Sequence, residues 1–229
     1  MAGVTPAAPF SRPSASEVAA QYARAPIDRG RTPWRLARFV VVDLELSGLR
    51  VKEDEIISFA AVPVDAGRVI AGGAVTGLCR PTRPLPGPSV VVHGLRTADL
   101  DDAPELVEAL EPLMAAMIGR VLVAHQAWVE RAFLGRAFER LGARFRGPVI
   151  DTYQLARLRE RRDQRREPPR DLTELAASLG LPAHRPHVAL GDALTTAQVF
   201  VALCTHLEAQ GRESVASLAN ARRRASFEA

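Results

Sequence analysis

The chain has 229 residues, of which 47% are hydrophobic and 24% are charged, and its formal net charge is +4. These values are ordinary for a soluble globular protein and leave room for one domain with tails. They argue against a disordered or membrane-spanning chain, because the longest apolar runs are too short to cross a bilayer and no apolar signal core follows Met1. We therefore expect no membrane association and a cytoplasmic location. The net positive charge is compatible with a polyanionic partner such as nucleic acid but does not require one. An arginine-rich composition also arises from the codon usage of high-GC genomes.

The two ends of the chain differ in composition from its middle. Residues 1–33 are rich in Pro, Ala and Ser, and predict an extension with at most one short helix, near residues 17–24, and little packing of its own. Residues 34–210 are predicted to form the domain. Residues 211–229 include three consecutive arginines and predict a weakly ordered basic tail.

The first part of the domain predicts three successive antiparallel strands. Bulky and β-branched residues dominate residues 39–44, 55–64 and 68–79. Asp65-Ala66-Gly67 is a short turn between the last two of these strands.

The second part alternates helices and strands. Leucines at helical spacing predict a helix over residues 103–118, which Asp101 or Asp102 would cap, with Pro104 in its first turn. The elements predicted after it are a strand at 121–124, a helix at 127–141, a strand at 149–150 and helices at 152–162, 172–179 and 189–209. This order predicts an α/β fold with a mixed central sheet flanked by helices.

Acidic residues and a histidine recur beside the apolar segments in a fixed order: Asp43, Glu45, Glu130, His187 and Asp192. Carboxylates are the ligands that Mg²⁺ and Mn²⁺ prefer, and such ions bear the charge of a reacting phosphate. Asp43 and Glu45 lie two apart at the end of a strand, so both side chains leave the same face. Glu130 alone would be a solvent-facing helix residue, and His187 alone a surface histidine. Together the five predict a two-metal phosphodiesterase site.

Their order also resembles the DEDDh 3′–5′ exonucleases of the DNA polymerase III epsilon-subunit-like family, over residues 39–207. The first motif of that family, Asp-x-Glu-Thr-Thr-Gly, reads DLELSG here. The second usually has His-Asn and an aspartate five residues after the histidine, whereas this chain has His125, Gln126 and Glu130. The third motif, His-x-Ala-x-x-Asp, is intact. The VHGL segment and Asp151 also resemble family features.

The resemblance implies an RNase H-like fold and an enzyme that hydrolyses the terminal phosphodiester at 3′ ends of single-stranded nucleic acid, releasing nucleoside 5′-monophosphates. It implies two Mg²⁺ or Mn²⁺ ions per site. Asp43 would bridge them, Glu45 and Asp192 would complete the tighter site, and Glu130 would orient waters on the second ion. His187 would act as general base, since histidine exchanges protons near neutral pH.

Four further residues are implied to contact substrate. Leu46, Ser47 and Gly48 lie where the backbone of the family meets the terminal nucleotide, with Leu46 placed to wedge against its base, and His93 would border the pocket. His125 is expected to orient the strand-helix junction.

Two alternatives remain beside this hypothesis. Glu130 extends the usual aspartate by roughly 1.3–1.5 Å, so an active enzyme is expected, with a catalytically weakened nucleic-acid-binding module as one alternative. RNA trimming of the RNase T or oligoribonuclease type is the other, because discrimination of the 2′-hydroxyl depends on the pocket wall. Proofreading would require a polymerase partner, since the chain carries no polymerase domain.

Overall fold

The computed structural model describes residues 14–162 and 167–221. Its strands are Arg38–Leu46 (β1), Ile56–Asp65 (β2), Arg68–Val69 (β3), Val75–Leu78 (β4), Val121–Ala124 (β5) and Val149–Asp151 (β6). The helices are Ala15–Arg24 (α1), Gly87–His93 (α2), Leu106–Ala116 (α3), Trp128–Arg140 (α4), Thr152–Arg162 (α5), Leu172–Ser178 (α6), Ala189–Glu208 (α7) and Val215–Ala219 (α8). Two 3₁₀ turns, Ala71–Gly73 and Thr97–Leu100, complete the described elements.

One mixed sheet organises the fold. The strand order is β3-β2-β1-β5-β6, and β4 also pairs with β2. The pairing of β1 with β2, and of β2 with β3 and β4, is antiparallel, whereas β1, β5 and β6 run parallel. The predicted mixed sheet is therefore confirmed. The third predicted strand is split into β3 and β4, because the glycine-containing Ala71–Gly73 turn interrupts its pairing.

Two layers of apolar side chains cover the sheet. Along β1, Phe39 and Val41 pack with α5, α6 and α7 in what we call the α7-side core, whereas Val40, Val42 and Leu44 pack with α1, α3 and α4 in the α4-side core. Because side chains alternate along a strand, Asp43 and Glu45 continue the α7-side row. Both strand faces are buried up to the point where these carboxylates begin.

Helix α7 lies at the centre of the α7-side core and contacts β1, β2 and α5. Its 20 residues are apolar enough to suit a membrane span by length and composition, but 56% of the apolar window is buried inside the protein. A core helix has the same properties, and the contacts of α7 are those of a core helix.

The predicted N-terminal extension is packed where the structure describes it. Helix α1 has a capping box between Ser14 and Glu17, and its residues Val18 and Tyr22 are buried. The Tyr22 ring lies 5.1 Å from that of Phe138 in an edge-to-face arrangement. The expectation of little packing is therefore wrong for residues 14–33, since α1 covers the α4-side core. Residues 1–13 lie outside the described residues.

The predicted C-terminal tail is also folded in part. The amide of Trp34 donates to the carbonyl of Glu213 at 2.7 Å, and the amide of Val215 donates to the carbonyl of Thr32 at 3.0 Å. Val215 and Leu218 are buried in the α7-side core. The expectation of weak order is wrong for residues 211–221, whereas 222–229 lie outside the described residues. The domain boundaries at 34 and 210 stay predictions.

Between β4 and β5 the structure corrects one local prediction and adds a helix that the sequence did not predict. Helix α3 begins after Glu105, and neither Asp101 nor Asp102 caps it, because the carbonyl of Pro104 accepts a hydrogen bond from the amide of Arg80 and holds the chain extended. Helix α2 was not predicted. Its Pro-rich start suits a first helical turn, and Gly94 ends it with φ +76°.

Candidate active site

Three carboxylates converge where β1 meets the start of α7. Oxygen atoms of Asp43, Glu45 and Asp192 all lie within 4.8 Å of one another. Asp43 and Glu45 share one face of β1, and Asp192 comes from the first turn of the helix packed on that face. We call these three residues the carboxylate group. Its members are buried or half-buried, and their oxygen donors are of the kind that hard divalent cations bind.

The carboxylate group is electrostatically unfavourable by itself. The pKa of Asp43 is raised well above its usual range, first by burial and then by the charges of Glu130, Asp192 and Glu45. Burial and the charge of Asp192 raise the pKa of Glu45 to about 7. Burial also raises the pKa of Asp192, although the amide of His187 opposes that shift. A bound divalent cation would offset both the repulsion and the lost hydration, so the residues fit such an ion.

Glu130 lies beside this group rather than within it. It is in the first turn of α4, is 5% exposed, and its Oε2 has no hydrogen-bond partner among the described residues. Burial raises its pKa to about 8, and the charge of Asp151 adds to the shift. A buried carboxylate oxygen without a partner requires a water or a cation to satisfy it. Its influence on the pKa of Asp43 shows that the two carboxylates are close despite the longer side chain.

The backbone of His187 is held by the site. His187 has a left-handed conformation, with φ +57°, and its amide donates to Oδ2 of Asp192 at 2.7 Å. Its side chain is exposed, and its charge lowers the pKa of both Glu45 and Asp192, so the ring lies near the two carboxylates. An exposed imidazole in this position can exchange a proton with a water bound at the carboxylates.

Gly191 allows the loop carrying His187 to approach α7, a role that the sequence did not reveal. A Cβ at this position would lie 2.1 Å from the carbonyl oxygen of Arg185. No real side chain tolerates that approach to backbone, so only glycine fits. The tight contact sets the path of the loop immediately before His187.

The loop after β1 is built around Asp54, which the sequence analysis also missed. Ser47 donates through Oγ to Oδ1 of Asp54 at 3.3 Å and accepts from the amide of Glu55 at 2.9 Å. A Cβ on Gly48 would lie 2.5 Å from Oδ2 of Asp54. Ser47 and Gly48 therefore shape the loop, and Leu46 is half-buried against the α4-side core. Their contacts with substrate stay predictions.

His93 ends α2 and is buried. Its Nδ1 accepts from the amide of Leu95 at 3.1 Å, and its Nε2 has no partner among the residues the structure describes. Burial lowers its pKa, which favours the neutral ring. Its predicted contact with substrate stays a prediction.

His125 joins three parts of the chain, as expected for a residue that orients the strand-helix junction. Its Nδ1 lies 2.9 Å from Oγ1 of Thr152, and its Nε2 lies 2.8 Å from the carbonyl of Arg170. The next residue, Gln126, turns the chain into α4 with φ +55°, and its amide donates to Oδ1 of Asp151 at 3.2 Å. This turn brings Glu130 towards the carboxylate group.

Comparison with known proteins finds a family profile and proteins whose sequences are similar to this chain. The profile of the exonuclease family RNase_T matches residues 40–200. A DNA polymerase III subunit epsilon-like protein of Rhodobacter capsulatus is 36% identical over 183 residues, which make up 79% of this chain and 25% of that protein. The chain thus spans about a quarter of the length of this relative.

Solved structures share the fold. Exonuclease X in complex with 5′-overhanging duplex DNA superposes with a TM-score of 0.61 at 22% identity, covering 80% of this chain and 98% of that one. The nuclease domain of 3′hExo, a DEDDh family member bound to rAMP, gives a TM-score of 0.60 at 19% identity, covering 72% of this chain and 90% of that one. These similarities confirm the RNase H-like fold expected from the sequence.

Proposed function

Because the chain belongs to the exonuclease family RNase_T, and within it to the DEDDh 3′–5′ exonucleases, we propose that it hydrolyses the terminal phosphodiester at the 3′ end of single-stranded nucleic acid. The products would be nucleoside 5′-monophosphates. The observation that carries this proposal is the convergence of Asp43, Glu45 and Asp192 within 4.8 Å, with Glu130 and His187 beside them.

The carboxylate group would hold divalent cations, Mg²⁺ or Mn²⁺, and we propose two per site. When bound, such ions stabilise the negative charge of the reacting phosphate and activate water. The charges of the other three carboxylates all raise the pKa of Asp43, so this residue is the one we expect to contribute most to holding the ions. Glu45 and Asp192 would hold them together with Asp43, and Glu130 would hold waters bound to them.

The remaining residues would move protons and position the strand end. His187 would accept a proton from the attacking water, because its ring is exposed beside two carboxylates and its backbone is held by Asp192. Leu46, Ser47, Gly48 and His93 would contact the terminal nucleotide. The burial of Glu130 next to Asp43 supports an active enzyme rather than a nucleic-acid-binding module with a weakened catalytic site.

The nature of the strand is the finer part of the proposal. We favour single-stranded DNA, because the relative in Rhodobacter capsulatus is named for a DNA polymerase subunit. RNA trimming is the second candidate, because the 3′hExo domain is bound to rAMP. A proofreading role would place the chain beside a polymerase, and a cytoplasmic location suits either substrate.

The experiment that tests the function uses 5′-labelled and 3′-labelled single strands of DNA and RNA with Mg²⁺, Mn²⁺ or EDTA. We expect a 3′ label to leave at once as a mononucleotide and a 5′-labelled strand to shorten stepwise, with EDTA stopping both. Asp43→Ala should be inactive, whereas Asp102→Ala, which removes an exposed carboxylate in a turn, should match the parent. Metal-independent cleavage, or equal activity in Asp43→Ala, would refute the proposal.

A further inference from the structure

A groove beside the active site is lined by an exposed tryptophan. Trp128, the first residue of α4, is 47% exposed and lines a cavity of about 380 Å³ together with Asp151 and Gln154. The only other tryptophan, Trp34, is fully buried. Asp151, which lines the cavity, accepts a hydrogen bond from the amide of Gln126 at the turn into α4, and its charge raises the pKa of Glu130. The groove therefore opens next to the proposed reaction centre.

Unpaired arginines extend this groove. Arg131 is one turn after Trp128, so the two side chains lie on the same side of α4. It lines the first cavity and an adjoining one of about 440 Å³, which Arg29 also lines. Within residues 14–162 and 167–221, neither arginine has an acidic partner, although many others do. Two free guanidinium groups thus follow one exposed aromatic ring.

We propose that this surface, which we call the strand groove and define by Trp128, Arg131 and Arg29, binds the nucleotides on the 5′ side of the terminal two. A base would stack on Trp128 and a backbone phosphate would pair with Arg131. The inference rests on the proposed function, because a strand whose 3′ end lies at the carboxylate group must leave across the neighbouring surface. Single-stranded nucleic acid fits better than an apolar peptide, since aromatic rings interleaved with positive charge are what single strands require.

Fluorescence can report this binding directly, because Trp34 is buried and Trp128 is exposed. In the presence of Mg²⁺, Asp43→Ala protein would be titrated with oligothymidylates of two and eight nucleotides, and we expect the octamer to quench the Trp128 emission. Because variants at position 128 lack this reporter, the Kd of every variant would be measured from the fluorescence anisotropy of 5′-labelled oligothymidylates. Adding Trp128→Ala should raise the Kd for the octamer about 5- to 100-fold, as loss of one base stack does, and leave the dimer unchanged. Adding Arg131→Ala should lower the salt dependence of log Kd by about 0.7, the effect of one phosphate contact on a single strand.

Matched controls lie at distant parts of the molecule. Leu36→Ala removes an apolar side chain that is 76% exposed before the start of β1. Arg68→Ala removes an exposed arginine on β3, at the opposite edge of the sheet from β6. Neither should change the Kd. Trp128→Phe should recover part of the affinity lost in Trp128→Ala, because a smaller ring still stacks.

The outcome separates this inference from the proposed function. If Trp128→Ala and Arg131→Ala bind the octamer as tightly as the parent while metal-dependent hydrolysis persists, the strand groove is refuted and the function stands. If the parent does not hydrolyse any strand but Trp128 is still quenched by the octamer, the function is refuted and the groove is supported. In the active enzyme, we expect Trp128→Ala to raise KM for the octamer without changing kcat/KM for the dimer.

Discussion

Replacing Glu130 by glutamine should stabilise the metal-free protein and impair the enzyme. Glu130 is buried and its pKa is about 8, against an ordinary value of 4.5. A raised pKa in the folded state means stability that is fully present below pH 4.5 and is lost as the pH rises towards 8. Glutamine keeps the length and polarity of the side chain but does not ionise, so the variant does not lose this stability.

The magnitude follows from the same two pKa values. At pH 7 the unfolded chain is ionised at this residue while the folded protein retains the proton, and the difference between 7 and the ordinary 4.5 corresponds to about 3 kcal/mol. For a protein of this size each kcal/mol shifts Tm by roughly 2–4 °C. We therefore expect metal-free Glu130→Gln to melt several degrees above the parent at pH 7, and at the same temperature near pH 4.5.

The assay is thermal unfolding in EDTA across pH 4.5–8, followed by hydrolysis with Mg²⁺. Glu139→Gln, which changes an exposed glutamate on the same helix, should leave both Tm and activity near the parent values. Glu130→Gln should lose much of its activity, and Glu130→Asp should retain or exceed the parental rate. Identical melting curves for the parent and Glu130→Gln over the whole pH range would refute the reasoning, and so would full activity in Glu130→Gln.

Three other substitutions test the remaining parts of the site. Asp43→Ala should abolish hydrolysis without lowering the metal-free Tm, and a large fall in Tm would show that this carboxylate is structural. His187→Ala should lower kcat by about 10²–10⁴-fold, the usual contribution of a general base, yet retain divalent-cation binding by calorimetry; a loss as large as that of Asp192→Ala would make it a ligand. Gly191→Ala should lower kcat at least about 10-fold, because the added Cβ displaces the carbonyl of Arg185. Gly135→Ala, in open space on α4, should leave kcat unchanged and raise Tm slightly. Equal kcat in both alanine variants would contradict the role of Gly191 in placing the loop that carries His187.

Periodicity was sufficient to predict most of the fold. The strand alternation at Asp43 and Glu45 correctly placed both carboxylates on one face of β1. It could not place Asp192 next to them, because no local pattern relates β1 to a helix almost 150 residues later; the family resemblance supplied that contact. Asp54 and Gly191 were missed for the same physical reason, since their roles depend on atoms from other parts of the chain.

Composition was less reliable at the ends of the domain. The Pro-, Ala- and Ser-rich start of the chain gave no sign that Val18 and Tyr22 would be buried. Asp101 has the right chemistry for a helix cap, but the pairing of Pro104 with Arg80 moves the start of α3 past it. In both cases tertiary contacts override a local preference that is worth only about 1 kcal/mol.

The pairing of residues 30–34 with residues 213–216 bears on how the protein tolerates shortening. Helix α8 contacts β6, the last strand in the sheet order. A chain cut to residues 34–210 would lose the partner of the Trp34 amide and would remove Val215 and Leu218 from the α7-side core. Large exposed apolar patches promote association between molecules. We therefore expect the shortened protein to self-associate, as measured by light scattering, whereas a chain of residues 14–221 should remain monodisperse under the same conditions.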